Sequence, residues 1–214
     1  CIFRRTEDTL GHAQDEIRQM TEPATETEGL SPFKAKIRAH FDAVAPSSKS
    51  FKRRNAYYHA RQKAFFRFLV PKGKRVLEFG CGTGELLADL EPSYGLGVDL
   101  SPEMITLAKE NFPQLDFRVG DAETQDSWAR AEQTEPFDFI VLSDLVGHLE
   151  DVQKAIVALR PLCTPATRII ISYYNFLWSP ILKLAERVGL KCPSKLDNWL
   201  SPEDLENLLQ LADF

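Results

Sequence analysis

The sequence predicts an α/β fold, a doubly wound and mostly parallel sheet with helices on both faces. Three observations carry that prediction. From Arg75 onward, short apolar runs alternate regularly with stretches of helical periodicity. The runs FDFIVL (137–142) and RIIIS (168–172) are apolar almost throughout, as strands covered on both faces must be. Between the first apolar run and the next helical stretch the chain breaks into Gly80, Gly82 and Gly84, which bring bare backbone close to a ligand because no Cβ stands in the way.

The elements follow in order. Residues 1–30 carry scattered charges and the polar tract TEPATETEG. Such a segment cannot bury enough apolar surface to offset its ordering entropy, so a flexible tail is expected. Residues 31–74 are read as N-terminal helices and a lid. Ser31 and Pro32 can cap a helix to about Val44, with Phe33, Ile37, Phe41 and Val44 at helical spacing. Asn55 can cap a second to about Val70, in which Tyr58, Phe65 and Leu69 share a face and Pro71 marks the stop.

Residues 75–214 form the core. Strands are expected at Arg75 to Phe79, Gly95 to Asp99, Leu115 to Val119, Phe137 to Leu142 and Arg168 to Ser172. Helices are expected at Glu85 to Glu91, Pro102 to Asn111, Ala122 to Gln133 and Asp151 to Leu162. After the fifth strand come a stretch from Phe176 to Val188 and the helix start Ser201-Pro202-Glu203-Asp204, which should run to about Leu211. The chain opens on Cys1 and stops at Asp213-Phe214, where another strand would ordinarily follow. The expectation is a piece of a longer protein whose C-terminal strands are missing.

At 214 residues the chain can bury one sizeable core and hardly two. No apolar run approaches the roughly eighteen residues of a membrane span and no secretory signal opens the chain, so a cytoplasmic location is expected. Cys1, Cys81, Cys163 and Cys192 fit neither a zinc spacing nor a disulfide framework; reduced thiols and no metal are expected. Between Asp42 and Glu78 lie ten Lys and Arg and no acid, in a chain of formal charge −5. Phe51, Tyr57, Tyr58, Phe65, Phe66 and Phe68 are interleaved with them. One reading is contact with nucleic acid or, peripherally, an anionic membrane surface. The favoured reading is an amphipathic helix with core aromatics and a solvated basic face.

The glycine loop carries the chemistry. A dinucleotide fingerprint wants G-x-G-x-x-G, but here the third glycine arrives one residue early and Glu85 holds its place. Asp99 closes the second strand nineteen residues beyond Gly80. A carboxylate at that edge can accept hydrogen bonds from both hydroxyls of a ribose; the plainer alternative is a helix N-terminal charge beside Ser101-Pro102.

The segment E-F-G-C-G-T-G, Glu78 to Gly84, resembles motif I of the class I S-adenosylmethionine-dependent methyltransferases, an acid followed by G-x-G-x-G, and the resemblance extends from about residue 55 to 214. It implies S-adenosyl-L-methionine as cofactor and S-adenosyl-L-homocysteine as product. It implies Glu78 orienting the loop and the cofactor's amino group, the methionine moiety over Gly80 and Gly82, and Gly84 completing the loop. Leu100 and Met104 would flank the adenine, and Asp121, with Ala122 beside it, would bind the adenine amino group. Ser143, the first residue after the fourth strand, is counted with this cofactor set. Glu123 is read as a solvated helix-start charge, and Cys81 as a loop residue without a catalytic role.

His148, in S-D-L-V-G-H-L-E-D, resembles the histidine that many small-molecule methyltransferases place after the fourth strand. It is read either as a general base or substrate contact, or as a residue that packs or caps the next helix. Tyr173, Asn175 and Trp178 are read as lining an acceptor pocket, or else Phe176, Leu177 and Trp178 as the buried start of the next helix. Tyr57 and Tyr58 belong to a lid, with core packing favoured for Tyr58.

Neither a D/N-P-P-Y/F motif nor a Pro-Cys nucleophile is present, which counts against nucleic-acid substrates. The segment from Arg168 to Lys191 and NWLSPEDLENLL look like bacterial methyltransferases fused or adjacent to glycosyltransferases. That likeness suggests an acceptor in cell-envelope, lipid or saccharide metabolism. The expected activity is methyl transfer to a small-molecule, lipid or saccharide acceptor, on oxygen, by in-line displacement. A catalytically silent cofactor-binding module, a nucleic-acid methyltransferase and, more distantly, a nicotinamide dehydrogenase are the alternatives.

Overall fold

The computed structural model describes residues 30–124, 135–173 and 200–214. Strand β1 (Arg75–Phe79) lies in the middle of a five-stranded sheet with β2 (Tyr94–Asp99), β3 (Asp116–Val119), β4 (Phe139–Ser143) and β5 (Arg168–Ser172). The strand order is β3-β2-β1-β4-β5 and every neighbouring pair is parallel. The chain therefore winds outward from β1 in one direction and then returns to its other side, which opens a crevice beyond the carboxyl ends of β1 and β4. β4 begins later than FDFIVL suggested. The Asp138 carboxylate accepts the Arg75 backbone N–H at 2.9 Å, so Phe137 enters the core ahead of the ladder.

The helices are α1 (Pro32–Val44), α2 (Ser48–Arg54), α3 (Ala56–Leu69), α4 (Glu85–Asp89), α5 (Pro102–Asn111), α6 (Val152–Leu159) and α7 (Pro202–Leu211). Their starts follow the sequence chemistry. Ser31, Ser101 and Asp151 each accept a backbone N–H from the first turn, and Ser201 with Asp204 forms a reciprocal capping box. Helix α2 and the short turn Ala45–Ser47 before it fall in the Ser/Pro-rich stretch that gave no helical signal.

Side chains alternate across the sheet and build two cores. Val76, Phe139 and Val141 meet Phe66 of α3, Leu86 and Leu87 of α4, and Ile105 of α5. Leu77, Phe79, Ile140 and Leu142 face the opposite way, toward Ala155 and Leu159 of α6. A third cluster seats Leu205 of α7 on Ile156 of α6. By this alternation Glu78 shares the Val76 face and is drawn into a hydrophobic layer.

Helix α3 is rotated from the face expected of it. Phe66 is its buried aromatic, whereas Tyr58, Phe65 and Phe68 are exposed. The run AFFRF offers two overlapping apolar stripes, and packing against β1 selects the one through Phe66. Phe68 is 85% exposed, so the aromatics of the basic stretch are not, as a group, core.

The tail over 1–29, the helix expected over 122–133 beyond Thr124, and the region 174–199 with Asn175, Trp178 and the stretch from Phe176 to Val188 lie outside the described residues. Among the described residues no helix is long and apolar enough to cross a membrane.

Candidate functional site

The crevice holds a cavity of about 320 Å³ at the carboxyl ends of β1 to β4. Its floor is the loop from Gly80 to Gly84. Gly80 and Gly82 have φ of +68° and +52°, a left-handed backbone that glycine adopts without strain. The Gly80 and Cys81 N–H groups both donate to Val98 O, at 2.8 and 3.2 Å, and pin the loop to β2. A Cβ on Gly82 would meet no protein atom within 4 Å, so the loop presents bare backbone to the cavity there.

Asp99 is wired to that loop. Its Oδ2 accepts the Gly82 N–H at 2.8 Å and its Oδ1 the Ser101 N–H at 2.9 Å. Burial pushes its carboxyl above the usual range, and the two backbone N–H groups hold it back. Each oxygen keeps acceptor capacity for a hydroxyl donor. The capping of α5 falls to Ser101, whose Oγ accepts the Met104 N–H at 3.1 Å. Leu100 and Met104 line the cavity beside Asp99, as do Ala122 and Ser143.

Glu78, on the cavity wall, is 2% exposed. Its carboxylate takes the Leu87 backbone N–H, while its Oε2 is buried with no hydrogen-bond partner. Burial pushes its pKa up to about 8, against the pull of Lys52. An orphaned buried carboxyl beside an open glycine loop suits a ligand bearing an ammonium group. Cys81 is buried beside it, and burial pushes its thiol well above the ordinary value.

Gly84 departs from the expected set. It is buried behind the loop, where a Cβ would lie 2.6 Å from Phe117 Cζ, so it allows loop and β3 to pack rather than facing the cavity.

Helices α1, α2 and α3 cover the mouth. Lys34 of α1 reaches Asp121 Oδ2 at 2.6 Å and Glu123 Oε2 at 3.0 Å. Burial opposes the charge on Lys34, but its bonds to Asp121 and Glu123 outweigh that and raise its pKa. Asp121 Oδ1 accepts the Glu123 N–H, and Glu123 Oε1 accepts the Glu150 N–H. Glu123 is 8% exposed, so its reading as a solvated charge is corrected: it is one arm of a buried ion-pair cluster. Ser101 Oγ bonds Asp42 Oδ1 and Ser31 Oγ bonds Glu150 Oε2, which ties α1 down at both ends. Lys52 of α2 donates to Thr83 Oγ1 at 2.6 Å and pairs with Glu85 at 3.3 Å. The basic stretch thus sends Lys52 inward instead of presenting a wholly solvated face.

A second polar group surrounds the lip of β4. Phe79 pairs with Leu142, so Ser143 is level with Gly80 and Asp144 is one residue beyond. Asp144 has φ +55°, a left-handed conformation uncommon outside glycine but tolerated by Asp. Its Oδ2 accepts Tyr58 OH at 2.7 Å and Gln62 Nε2 at 2.8 Å, and the same amide donates to Ser143 Oγ at 2.9 Å. Burial pushes the Asp144 carboxyl up, and the bonds from Tyr58 and Gln62 restrain it. Tyr58 is therefore an exposed latch onto β4, not a core residue.

His148 stands on the turn Val146–His148 with its ring edge-on to Phe41 at 5.3 Å, and it lines the cavity. His59 of α3 lines it as well. Tyr173 packs instead with Ile156 and Leu205, away from the cavity. The sequence reading missed Lys34, Lys52, His59, Gln62 and Asp144. Lys52, His59 and Gln62 were signalled only by their place in the basic stretch and Asp144 by its position beside Ser143, and nothing in the sequence pointed to Lys34.

A family model described as a methyltransferase domain matches residues 51–214. The chain belongs to this methyltransferase family. A ubiquinone biosynthesis O-methyltransferase of Xanthomonas axonopodis pv. citri is 32% identical over 114 residues, 50% of this chain and 46% of the relative. One of Coxiella burnetii is 32% identical over 107 residues, 49% of this chain and 45% of the relative. The chain thus spans about half the length of the curated relatives it matches. In fold it is similar to a SAM-dependent methyltransferase of Thermotoga maritima, with a TM-score of 0.66 and 20% identity, covering 82% of this chain and 80% of that one. It is also similar to the magnesium protoporphyrin IX methyltransferase of Synechocystis with bound SAM, with a TM-score of 0.61 and 16% identity over 87% and 88% of the chains. Family and fold agree with the expected class I architecture, and the orphaned Glu78 oxygen and open Gly82 backbone fit S-adenosyl-L-methionine as the cofactor.

Proposed function

We propose that this domain transfers the methyl group of S-adenosylmethionine to an oxygen of a small-molecule acceptor. The observation that carries the reading is the continuous wall formed by Glu78, the Gly80–Gly82 loop and Asp99, which opens sideways onto the polar lip at Ser143 and Asp144. In this reading Glu78 holds the cofactor's ammonium, the methionine moiety lies over the bare backbone of Gly80 and Gly82, and Asp99 takes the ribose hydroxyls. Leu100 and Met104 flank the adenine, and Asp121 with Ala122 takes its amino group. His148 and Phe41 contact the acceptor. When bound, the cofactor supplies an electrophilic methyl carbon on a sulfonium, so the protein's main task is alignment and exclusion of water. The names of the curated relatives support oxygen as the methylated atom.

The test is incubation with methyl-labelled S-adenosylmethionine and 3,4-dihydroxybenzoate, a soluble hydroxylated ring, as probe acceptor. An alkali-stable labelled methyl ether is expected. Cofactor binding without any labelled product would favour a catalytically silent module.

A further inference from the structure

Two imidazoles, His59 and His148, line the cavity. His148 is packed edge-on to Phe41. His59 belongs to the polar network that latches α3 onto the lip of β4. The Gln62 amide nitrogen is committed to Asp144 Oδ2 and Ser143 Oγ, and the Gln62 side chain is also hydrogen-bonded to His59. With its N–H groups used on the lip, the carboxamide offers His59 its oxygen, which accepts from one ring N–H. The other ring nitrogen is then the unprotonated one.

We propose that His59 accepts the proton of the attacking hydroxyl, and that Asp144 is the positioning residue that orients it through Gln62. The proposal rests on the methyl-transfer reading above and moves the proton-accepting role from His148 to His59. In the step, the acceptor oxygen forms a bond to the methyl carbon while the carbon–sulfur bond breaks and leaves its electron pair on sulfur. The hydroxyl proton passes to the free ring nitrogen of His59, and the resulting imidazolium faces the Asp144 carboxylate.

The surroundings suit that task. Burial, and then Lys52 on α2, hold His59 below the ordinary histidine value, while Gln62, Glu85 on α4 and Asp144 pull it upward. The ring is therefore neutral at pH 7 and ready to accept a proton. Ser143 lies level with Gly80, which places this network beside the part of the loop assigned to the methionine moiety.

The test uses the whole domain and has two arms. In the first, the His59 ring-proton NMR signal is followed against pH and assigned through His59→Gln. A midpoint below about 6.5 is expected, with a further downward move in Asp144→Asn, which removes the facing negative charge. A midpoint that Asp144→Asn leaves in place would overturn the pairing, whatever the fate of the methyl-transfer reading. In the second arm, turnover of 3,4-dihydroxybenzoate is measured. His59→Gln should lower kcat by about 10²- to 10⁴-fold and abolish the acidic limb of the pH profile, with S-adenosylhomocysteine affinity unchanged. A kcat within threefold of the wild type, acidic limb retained, would overturn the proposal. A wild type that binds no S-adenosylhomocysteine would overturn the cofactor assignment instead and leave the NMR arm to judge His59 and Asp144.

Discussion

Replacing Glu78 by glutamine should stabilise the free protein, and more so as the pH rises. Glu78 is 2% exposed with Oε2 unpartnered, and burial pushes its pKa from 4.5 to about 8. The folded protein thus binds this proton more tightly than the unfolded chain does. Stability from that preference is fully present below pH 4.5 and is lost as the pH rises through 8. The whole loss is about 5 kcal/mol, of which about 3 kcal/mol falls between pH 6 and 9. Glutamine has the same shape and no proton to lose, so Glu78→Gln should outstrip the wild type by that growing margin. For a chain of this size the difference in melting temperature should widen by roughly 6–12 °C between pH 6 and 9. Urea unfolding and thermal melts at stepped pH give the margin directly. The same carboxylate should make cofactor binding strengthen with pH up to about 8 in the wild type and stay flat in the variant, because an ammonium favours the ionised form. Variant and wild-type stability curves that run parallel in pH would refute the reasoning.

Three further changes probe other parts of the site. Lys34→Met should cost about 3 kcal/mol of stability in denaturant unfolding, because it leaves Asp121 and Glu123 buried together without their cation. Adding Glu123→Gln should recover part of that loss in a double-mutant cycle. Gly97→Ala should destabilise by about 1–3 kcal/mol, since its Cβ would stand 2.6 Å from Phe117 Cδ1 and 2.8 Å from Cys81 Sγ; an unshifted urea midpoint would show that β2 has room there. His148→Ala should raise the KM for 3,4-dihydroxybenzoate with less than about a tenfold change in kcat, and a larger fall in kcat would return the proton-accepting role to His148.

The sheet was legible because β4 is buried on both faces and so appears as an unbroken apolar run, while β5 is apolar in sequence although only half-buried. The loop was legible because Gly80 and Gly82 must take positive φ, a requirement that leaves its mark as glycine. Asp99 was found from its register with that loop, and the structure supplies the physical link, a direct bond from the Gly82 N–H. What local pattern could not carry is how α1 to α3 are laid over the site. Glu123 reads as an ordinary helix-start acid until Lys34, far away in sequence, is brought against it. Phe65 and Phe66 differ by one position on a helix with apolar residues on both sides, and only contact with the sheet decides between them. His59, Gln62 and Asp144 meet across more than eighty residues, so no motif records them. The packing of Gly84 on Phe117 left no mark of its own, because a glycine needed for close packing looks, in sequence, the same as one needed beside a ligand.

The central claim is that the loop from Gly80 to Gly82, with Glu78 and Asp99, is an S-adenosylmethionine site. Calorimetric titration of the wild type and Asp99→Ala with S-adenosylhomocysteine tests it most directly. The wild type should bind one-to-one and the variant should lose at least tenfold in affinity, about 1.4 kcal/mol. Equal affinity in the two proteins, or no binding by the wild type, would contradict it.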